Sequence, residues 1–311
     1  MTYNQTITLT FGEVAENCIG MEKVGEKFQQ GITCEELLEI QNKLSPYTHT
    51  EIIKLENYVN AEVPPSWILL IKNGINILLA NDGKTSYDLY FEQNNIQPDK
   101  TFYNPHKKYK HIVGYIPNDA IIVSRTIDIS ISSVGHYVVN GKNYIITLEG
   151  LCYYLPFNNV SNKIARYNYV ISDLSQKADI QNRKGTVISY DDVPYCKILR
   201  RQLEVLIGKK GKNLHSEVNV YHTPNKTGIG FHGDTERSVV IGMRLGRHME
   251  LVFAWFQHSK PISERIVFNL DHGDIYIMSD YTVGGNWKDN SIPTLRHSAG
   301  SKQYTNYKPD K

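Results

Sequence analysis

Residues 229–237 read I-G-F-H-G-D-T-E-R, and residues 294–300 read T-L-R-H-S-A-G. His232 and Asp234 are two positions apart, so on an extended strand their side chains project from the same face. His297 is a third candidate ligand. Two imidazoles and one carboxylate that bind one face of a metal, and leave the opposite face open, suit non-haem Fe(II) oxygen chemistry. The pattern therefore predicts an iron site formed by His232, Asp234 and His297.

A second H-x-D pattern, at His272 and Asp274, is an alternative ligand pair. It directly precedes an apolar run, Ile275–Met278, so a turn before a strand is the other interpretation. Three further histidines are interpreted as surface or turn residues: His222, His248 and His258.

The bulk composition limits the classes of function. The chain has 311 residues, of which 41% are hydrophobic, enough for one large core or two moderate ones, and we expect two. Its formal net charge is only +2, with 34 basic and 32 acidic residues, so no global attraction to nucleic acid or to an acidic membrane is indicated. Any such affinity must come from a local patch.

The cysteines and the apolar segments indicate a soluble intracellular protein, cytoplasmic or nuclear. The four cysteines form no C-x-x-C pair, which argues against a zinc knuckle or a disulfide framework. The first residues have neither the basic start nor the apolar run of a signal peptide. The most apolar segment, Trp67–Ala80, is interrupted and too short to span a bilayer.

The domain organisation is predicted from shifts in composition. We expect a separate α+β domain over residues 1–165 and a polar connection over residues 166–190. The sequence does not reveal the role of the first domain, for which substrate recognition is one interpretation. Residues 191–311 then form the domain that contains the H-x-D motif.

Local signals predict the principal elements. Thr6–Phe11 alternates like an edge strand, Thr33–Leu44 has the capping box of a helix, and Asp192 can cap a helix with Pro194 in its first turn. The dipeptide Asn73-Gly74 predicts a hairpin within Trp67–Leu79. Further strands are predicted at Ser86–Phe91, Ile112–Ile116, Ala120–Ser124, His136–Val139 and Tyr144–Leu148, with a turn at Asn140-Gly141.

Two basic segments have alternative interpretations. Tyr103–His111 interleaves lysines with tyrosines, which could bind phosphate and stack on bases, or form a solvated loop. Arg200 and Arg201 lie on the predicted helix before a basic corner that ends at Lys212. This corner could bind a phosphate backbone near the metal site, or be a solvated helix face.

Five segments follow one another in order from about Val193 onward, namely E-V-N-V-Y, I-G-F-H-G-D-T-E-R, V-I-G-M-R-L-G, F-N-L-D-H-G-D-I-Y-I-M-S and L-R-H. Together they resemble the AlkB-like family of Fe(II)- and 2-oxoglutarate-dependent dioxygenases. This resemblance implies a double-stranded β-helix, or jelly-roll, as the dioxygenase core. The overall fold expected is therefore mixed α and β, with this core preceded by the separate N-terminal domain.

The resemblance implies roles for individual residues. His232, Asp234 and His297 match the iron ligands. Asn219 and Tyr221 match positions whose side chains hydrogen-bond 2-oxoglutarate in that family.

The cosubstrate's carboxylates are bound in the family by two arginines after the distal histidine, where this chain has Lys302 and Lys308. Lysine can pair with a carboxylate as a point charge but lacks the bidentate fork of arginine. Arg296 is a second candidate, although its place next to His297 on a strand turns it away from the ligand face.

The implied cofactors are Fe(II), 2-oxoglutarate as cosubstrate, and O2. The implied reaction is hydroxylation or oxidative demethylation of a modified nucleobase, so nucleic acid is the expected partner, and no membrane is. Four residues are candidate substrate contacts: Glu236, Trp287, Arg200 and Arg201. The alternatives are a protein side-chain hydroxylase on the same core, and a non-catalytic binding module.

Overall fold

The computed structural model describes residues 3–104, 110–112, 121–123, 133–139, 142–147, 152–155, 160–223 and 225–307. The helices in these ranges are α1 (Cys34–Leu44), α2 (Gly74–Leu79), α3 (Ser86–Asn94), α4 (Pro194–Ile207) and α5 (Lys302–Thr305).

The described ranges also contain strands of two to nine residues. They are β1 (Thr6–Gly12), β2 (Val14–Glu16), β3 (Lys23–Gly25), β4 (Thr50–Lys54), β5 (Trp67–Ile71), β6 (Thr101–Tyr103), β7 (Lys110–Ile112), β8 (Ile121–Val123), β9 (Ser133–Val139), β10 (Lys142–Thr147), β11 (Cys152–Leu155), β12 (Val160–Asn162), β13 (Tyr167–Ser172), β14 (Val187–Ser189), β15 (His215–Tyr221), β16 (Gly228–His232), β17 (Ile241–Gly246), β18 (Met249–Gln257), β19 (Lys260–Pro261), β20 (Ile266–Leu270), β21 (Ile275–Met278) and β22 (Thr294–Gly300).

Two sheets organise the molecule. The larger has eight strands in the order β14-β13-β15-β1-β17-β21-β5-β4, and the second has the order β16-β22-β18-β19, with β20 also paired to β18. Their described pairs are antiparallel, apart from the parallel pair of β13 and β14. The remaining strands form β7-β11-β10-β9-β8, β12-β6 and β2-β3. The prediction of a mixed α and β fold is confirmed.

The eight-stranded sheet packs helices on one face and the second sheet on the other. Ile7, Leu9 and Phe11 of β1 belong to a buried cluster that also contains residues of α1 to α4. A second cluster joins Tyr221 and Tyr276 of the eight-stranded sheet to residues of β18, β20 and β22. Because successive side chains of a strand alternate between faces, β1 contributes its apolar residues to the helix side and its threonines to the sheet side.

The predicted boundary between two domains does not separate two sheets. β1, β4 and β5 precede residue 165, yet they hydrogen-bond β15, β17 and β21 within the eight-stranded sheet. The expected polar connection, 166–190, contains β13 and β14 of that sheet. The prediction of a separate N-terminal domain is therefore wrong for these strands, and β1 is a central strand rather than an edge strand.

Two local predictions are also wrong. Asn73 adopts a left-handed conformation that leads β5 into α2, so Asn73-Gly74 begins a helix instead of a hairpin. Ser86–Phe91 belongs to α3, because the Thr85 hydroxyl and the Asp88 carboxylate form a capping box at its first turn. The predicted capping box of α1, between Thr33 and Glu36, is confirmed.

The helix predicted after Asp192 is α4, but Asp192 does not cap it. Glu92 of α3 does so, accepting hydrogen bonds from the backbone N–H groups of Tyr195 (2.7 Å) and Cys196 (3.0 Å). A carboxylate at this position satisfies free N–H groups and interacts favourably with the helix dipole. The cap is therefore supplied by tertiary packing.

Several predictions fall partly on positions outside the described residues. The strands predicted at His136–Val139 and Tyr144–Leu148 overlap β9 and β10. Residues 113–116, 120 and 124 of two other predicted strands, residue 148, the Asn140-Gly141 turn, and residues 105–109 of the basic segment are not among those described. Within the described ranges, no helix has the length and apolar character needed to cross a membrane.

Candidate metal centre

Two neighbouring strands of the second sheet bring the two histidines together. β16 pairs with β22 so that His232 lies opposite His297, after an irregularity in the register between Ile229 and His232. The centroids of the two imidazole rings are 4.4 Å apart. His297 shares a strand face with Leu295 and Ala299, which are buried between the two sheets. The histidine pair therefore faces the interior of the layered structure.

Asp234 completes the triad from the loop after β16. Its Oδ1 lies 3.6 Å from Nε2 of His232 and 3.8 Å from Nε2 of His297. The three ligand atoms are all within 4.8 Å of one another. Two ligands at about 2.1 Å from one ion are separated by about 3 Å when they occupy adjacent positions. Only small side-chain adjustments are needed to bind an ion.

The tautomer of His232 suits metal binding. Its Nδ1 lies 2.8 Å from the carbonyl oxygen of Gly230, which can only accept a hydrogen bond. The Nδ1–H therefore donates, and the lone pair of Nε2 points toward Asp234. A second partner that orients a histidine in this way is a regular feature of metal sites.

Burial favours the neutral form of both imidazoles. It lowers the pKa of His232 to about 4, and the charge of Arg166 acts in the same direction. It also lowers the pKa of His297 well below the ordinary value. Neutral imidazole is the form that binds metal. Nδ1 of His297 is buried and has no hydrogen-bond partner among the described residues.

For Asp234, burial disfavours the charged form that binds metal. Burial raises its pKa to about 7, and the nearby Arg237 opposes the rise. A bound cation would favour the charged carboxylate, because an opposite charge at contact distance offsets desolvation. The donor set therefore fits a divalent ion held by two nitrogens and one oxygen.

Arg237 links the triad to two further carboxylates. Its Nη2 donates to Glu217 and to Glu236 (2.9 Å), and its Nε lies 3.7 Å from Oδ2 of Asp234. All four side chains are largely buried. Burial raises the pKa of Glu236, but the charge and hydrogen bond of Arg237, a backbone hydrogen bond and the charge of Lys23 together lower that pKa overall. Glu236 thus pairs with Arg237. The sequence prediction that Glu236 contacts substrate stays a prediction.

The strand opposite the triad carries the predicted cosubstrate residues. Tyr221 is buried in the cluster between the sheets. The Oδ1 atom of Asn219 accepts from Nε of Arg166 (2.5 Å) and from Asn168, and its Nδ2 donates to Glu217 (3.1 Å). Because Asn219 and Tyr221 are two apart on β15, they share the face that looks toward the second sheet.

The alternative H-x-D pair does not form a metal site. His272 accepts a hydrogen bond from the backbone N–H of Gly246 (2.9 Å), and Asp274 is bound by Lys72 (2.6 Å). Among the described residues, the one cluster of potential ligands is His232, Asp234 and His297. His248 pairs with Asp271 at 2.9 Å, as expected for a surface histidine.

Arg200 and Arg201 do not reach the metal centre. They lie on α4, which packs against the opposite face of the eight-stranded sheet. Arg200 forms a paired hydrogen bond with Asp173, and Arg201 pairs with Asp82 at 2.9 Å. The eight-stranded sheet lies between these arginines and the triad, so they are not beside the metal centre, and their contact with substrate stays a prediction.

Of the two lysines predicted to bind the cosubstrate, the structure describes one. Lys302 is an exposed residue of α5, and Lys308 lies outside the described residues.

Arg296 stacks on the rings of Phe256 (4.6 Å) and Trp287 (5.4 Å), on the side of β22 away from His297. Trp287 is half-buried. Its loop is tied to the ligand loop, since the N–H of Asp234 donates to the carbonyl of Val283 (3.0 Å).

Three functional candidates were missed by sequence reasoning: Arg166, Arg237 and Arg244. Arg237 directly follows H-x-D-x-E, and Arg244 is the one charge within the apolar segment V-I-G-M-R-L-G. A lone arginine in a buried strand is a signal that could have been used, because charged side chains are almost never fully buried without a partner.

No family model matches this chain. Over 305 residues it is 31% identical to an uncharacterised protein, R156, of Acanthamoeba polyphaga mimivirus, and the match covers 96% of this chain and 97% of that protein. The similarity thus extends over nearly the full length of both proteins. The chain therefore belongs to the same family as the mimivirus protein R156.

Proposed function

We propose that this protein is an Fe(II)- and 2-oxoglutarate-dependent dioxygenase of AlkB-like type. One observation carries the proposal: two imidazoles with Nε2 atoms that converge on one carboxylate gather on the inner side of the second sheet. This donor set suits Fe(II) with open positions for a cosubstrate and oxygen. The two facing sheets support a double-stranded β-helix as the core.

In this proposal, each ligand has a defined task. His232, Asp234 and His297 would hold the iron, and the Gly230 carbonyl fixes the orientation of His232. Bound iron with 2-oxoglutarate and O2 would supply the oxidising chemistry that hydroxylates a C–H bond and yields succinate and CO2. Asn219 and Tyr221 would orient the cosubstrate from the facing strand. Arg237 forms an ion pair with the carboxylate of Asp234 at 3.7 Å.

The proposed substrate is a modified nucleobase in DNA or RNA. The resemblance of the H-x-D-x-E region supports this class, and the backbone hydrogen bond from Asp234 to Val283 places the segment that leads to the half-buried Trp287 beside the ligand loop. Hydroxylation of an N-methyl group gives a hemiaminal that loses formaldehyde. A base in a duplex would have to be extruded to reach an interior site, whereas a single strand would not.

The test begins with cosubstrate binding. The purified protein is loaded anaerobically with Fe(II) and titrated with 2-oxoglutarate, while the weak visible charge-transfer band of the chelate is followed. We expect the band in wild type, its loss in His232→Ala, and its retention in His248→Ala, which removes an exposed imidazole outside the centre. A wild type that binds iron but shows no band would overturn the proposal.

The substrate class needs a separate assay. Methylated single-stranded oligonucleotides are incubated with the loaded protein, and formaldehyde and succinate are measured together. Stoichiometric release of both supports the nucleobase assignment. Release of succinate with peptides, but not with oligonucleotides, would instead indicate a protein hydroxylase. Neither product under any condition, despite iron binding, would indicate a binding module.

A further inference from the structure

Arg244 is a buried arginine on the face of β17 that looks toward the second sheet. It is 1% exposed. The register of the eight-stranded sheet places it opposite Thr8 of β1, and Thr8 opposite Asn219 of β15. Directly opposed residues of neighbouring strands share a face. Arg244 therefore lies on the same face as Asn219, across one intervening strand.

The described contacts of the Arg244 guanidinium are all with uncharged groups. Its Nη1 donates to the Thr8 hydroxyl (2.6 Å) and lies 3.8 Å from the sulfur of Met249. Its Nε is buried and has no hydrogen-bond partner among the described residues. A buried guanidinium is ordinarily paired with an anion. Burial lowers the pKa of Arg244, as expected for a cation without a neighbouring anion.

Asp274 is the carboxylate whose charge acts on Arg244, but it is already engaged. It binds Lys72 at 2.6 Å and accepts from the backbone N–H groups of Asn73 (3.0 Å) and Asp271 (2.9 Å). By contrast, the buried Arg237 donates hydrogen bonds to the carboxylates of Glu217 and Glu236. The two buried arginines thus differ in whether the protein supplies their anions.

Tyr276 connects the surroundings of Arg244 with those of the metal centre. Gly242 is two residues from Arg244, and a Cβ there would come within 1.9 Å of the Tyr276 ring, so this ring lies over Gly242. The charges of both Arg244 and Asp234 act on Tyr276. A ligand that binds both Arg244 and the triad would therefore pass beside the Tyr276 ring.

We infer that Arg244, together with Thr8, binds the far carboxylate of 2-oxoglutarate. This inference rests on the proposed function, in which the other end of the cosubstrate binds at His232, Asp234 and His297. It assigns the anchor to the interior of the fold instead of to the exposed Lys302. The guanidinium offers the planar donor pair that a carboxylate accepts.

The experiment compares two ligands that differ only at the far end. 2-Oxoglutarate and 2-oxovalerate share the keto acid and the chain length, but 2-oxovalerate has a methyl group in place of the second carboxylate. Binding to the protein loaded with Mn(II) is measured by calorimetry under nitrogen. Mn(II) affinity, measured first, reports on the triad independently of Arg244.

We expect wild type to prefer 2-oxoglutarate, and Arg244→Met to bind both ligands alike, because the loss of a charge-assisted pair lowers affinity by about 10- to 100-fold. Arg244→Lys keeps the charge but not the fork, so a smaller loss is expected. Arg247→Met, which removes an exposed arginine three positions away, should leave the preference unchanged. Mn(II) affinity should be the same in all four proteins.

The binding measurements distinguish failure of this inference from failure of the proposed function. An Arg244→Met protein that keeps the full preference for 2-oxoglutarate would overturn this inference and leave the proposed function intact. A wild type that binds Mn(II) but neither keto acid would overturn the proposed function. Should Arg244→Met fail to fold, as judged by circular dichroism, Thr8→Val tests the same site. It is expected to reduce the preference, and an unchanged preference would contradict the inference.

Discussion

The two faces of the eight-stranded sheet bury different kinds of side chain. On the helix side, β1 places Ile7, Leu9 and Phe11 among other apolar residues. On the side of the second sheet, the same strand places Thr8 beside Asn219 and Arg244. Both faces are buried, so exposure to water does not explain the difference. Buried polar groups are costly unless they are hydrogen-bonded, and their concentration on one face marks where a ligand is to be expected.

The helix face is therefore apolar, whereas the inner face carries buried polar groups. The candidate metal triad lies on this inner side. Its histidines face the polar row of the first sheet, while Phe253 and Leu295 beside them close the interior. Substitutions on the two faces should separate loss of stability from loss of binding.

The largest effect is expected for Arg237→Met, on the inner face. It leaves Glu217, Glu236 and Asp234 buried without their cation, so the metal-free protein should lose about 3–5 kcal/mol of unfolding free energy. Metal affinity should also fall by about 10- to 100-fold, because Asp234 loses the partner that orients it. Denaturant unfolding and Mn(II) titration measure the two effects.

Glu236→Gln is the matched control for that variant, since it removes one carboxylate and keeps the arginine. It should cost less stability than Arg237→Met. A loss under about 1 kcal/mol in Arg237→Met would show that solvent screens the cluster. The contrast between the two faces would then rest on Arg244 alone.

The next effect concerns the helix face. Leu199 of α4 is fully buried, and Leu199→Ala should cost about 2–5 kcal/mol through lost burial and the cavity that remains. Mn(II) affinity and the preference for 2-oxoglutarate should not change, because the sheet separates α4 from the triad. Urea unfolding and calorimetry test this pair of expectations. A parallel loss of metal affinity would mean that the two faces are coupled.

Local signals predicted part of this structure well. The capping box of Thr33 and Glu36 depends on residues three apart, so its geometry follows from short-range periodicity. The sequence also predicted the three residues of the candidate metal cluster, but Asp234 lies in the loop after β16 and not on the predicted strand, and long-range pairing of β16 with β22 brings in His297. The Asn73-Gly74 dipeptide was misassigned because a left-handed asparagine serves a helix start as readily as a hairpin.

Long-range pairing accounts for what sequence reasoning missed. No local pattern shows that β1 lies between β15 and β17, and this placement is what brings Thr8 next to Asn219 and Arg244. The cap of α4 is missed for the same reason, since Glu92 comes from another helix. The prediction of a separate N-terminal domain was wrong because composition cannot report which strands share a sheet.

The smallest effect is expected on the outer surface of the helix layer. Arg201 is mostly exposed and pairs with Asp82, so Arg201→Gln should change the unfolding free energy by less than about 1 kcal/mol. Its distance from the inner face predicts unchanged affinity for a methylated single-stranded oligonucleotide, measured by fluorescence anisotropy at several salt concentrations. A weaker affinity and a shallower salt slope would show that this arginine contacts phosphate. In that case α4 would be a second nucleic-acid surface, and the helix face would have a role in binding as well as in stability.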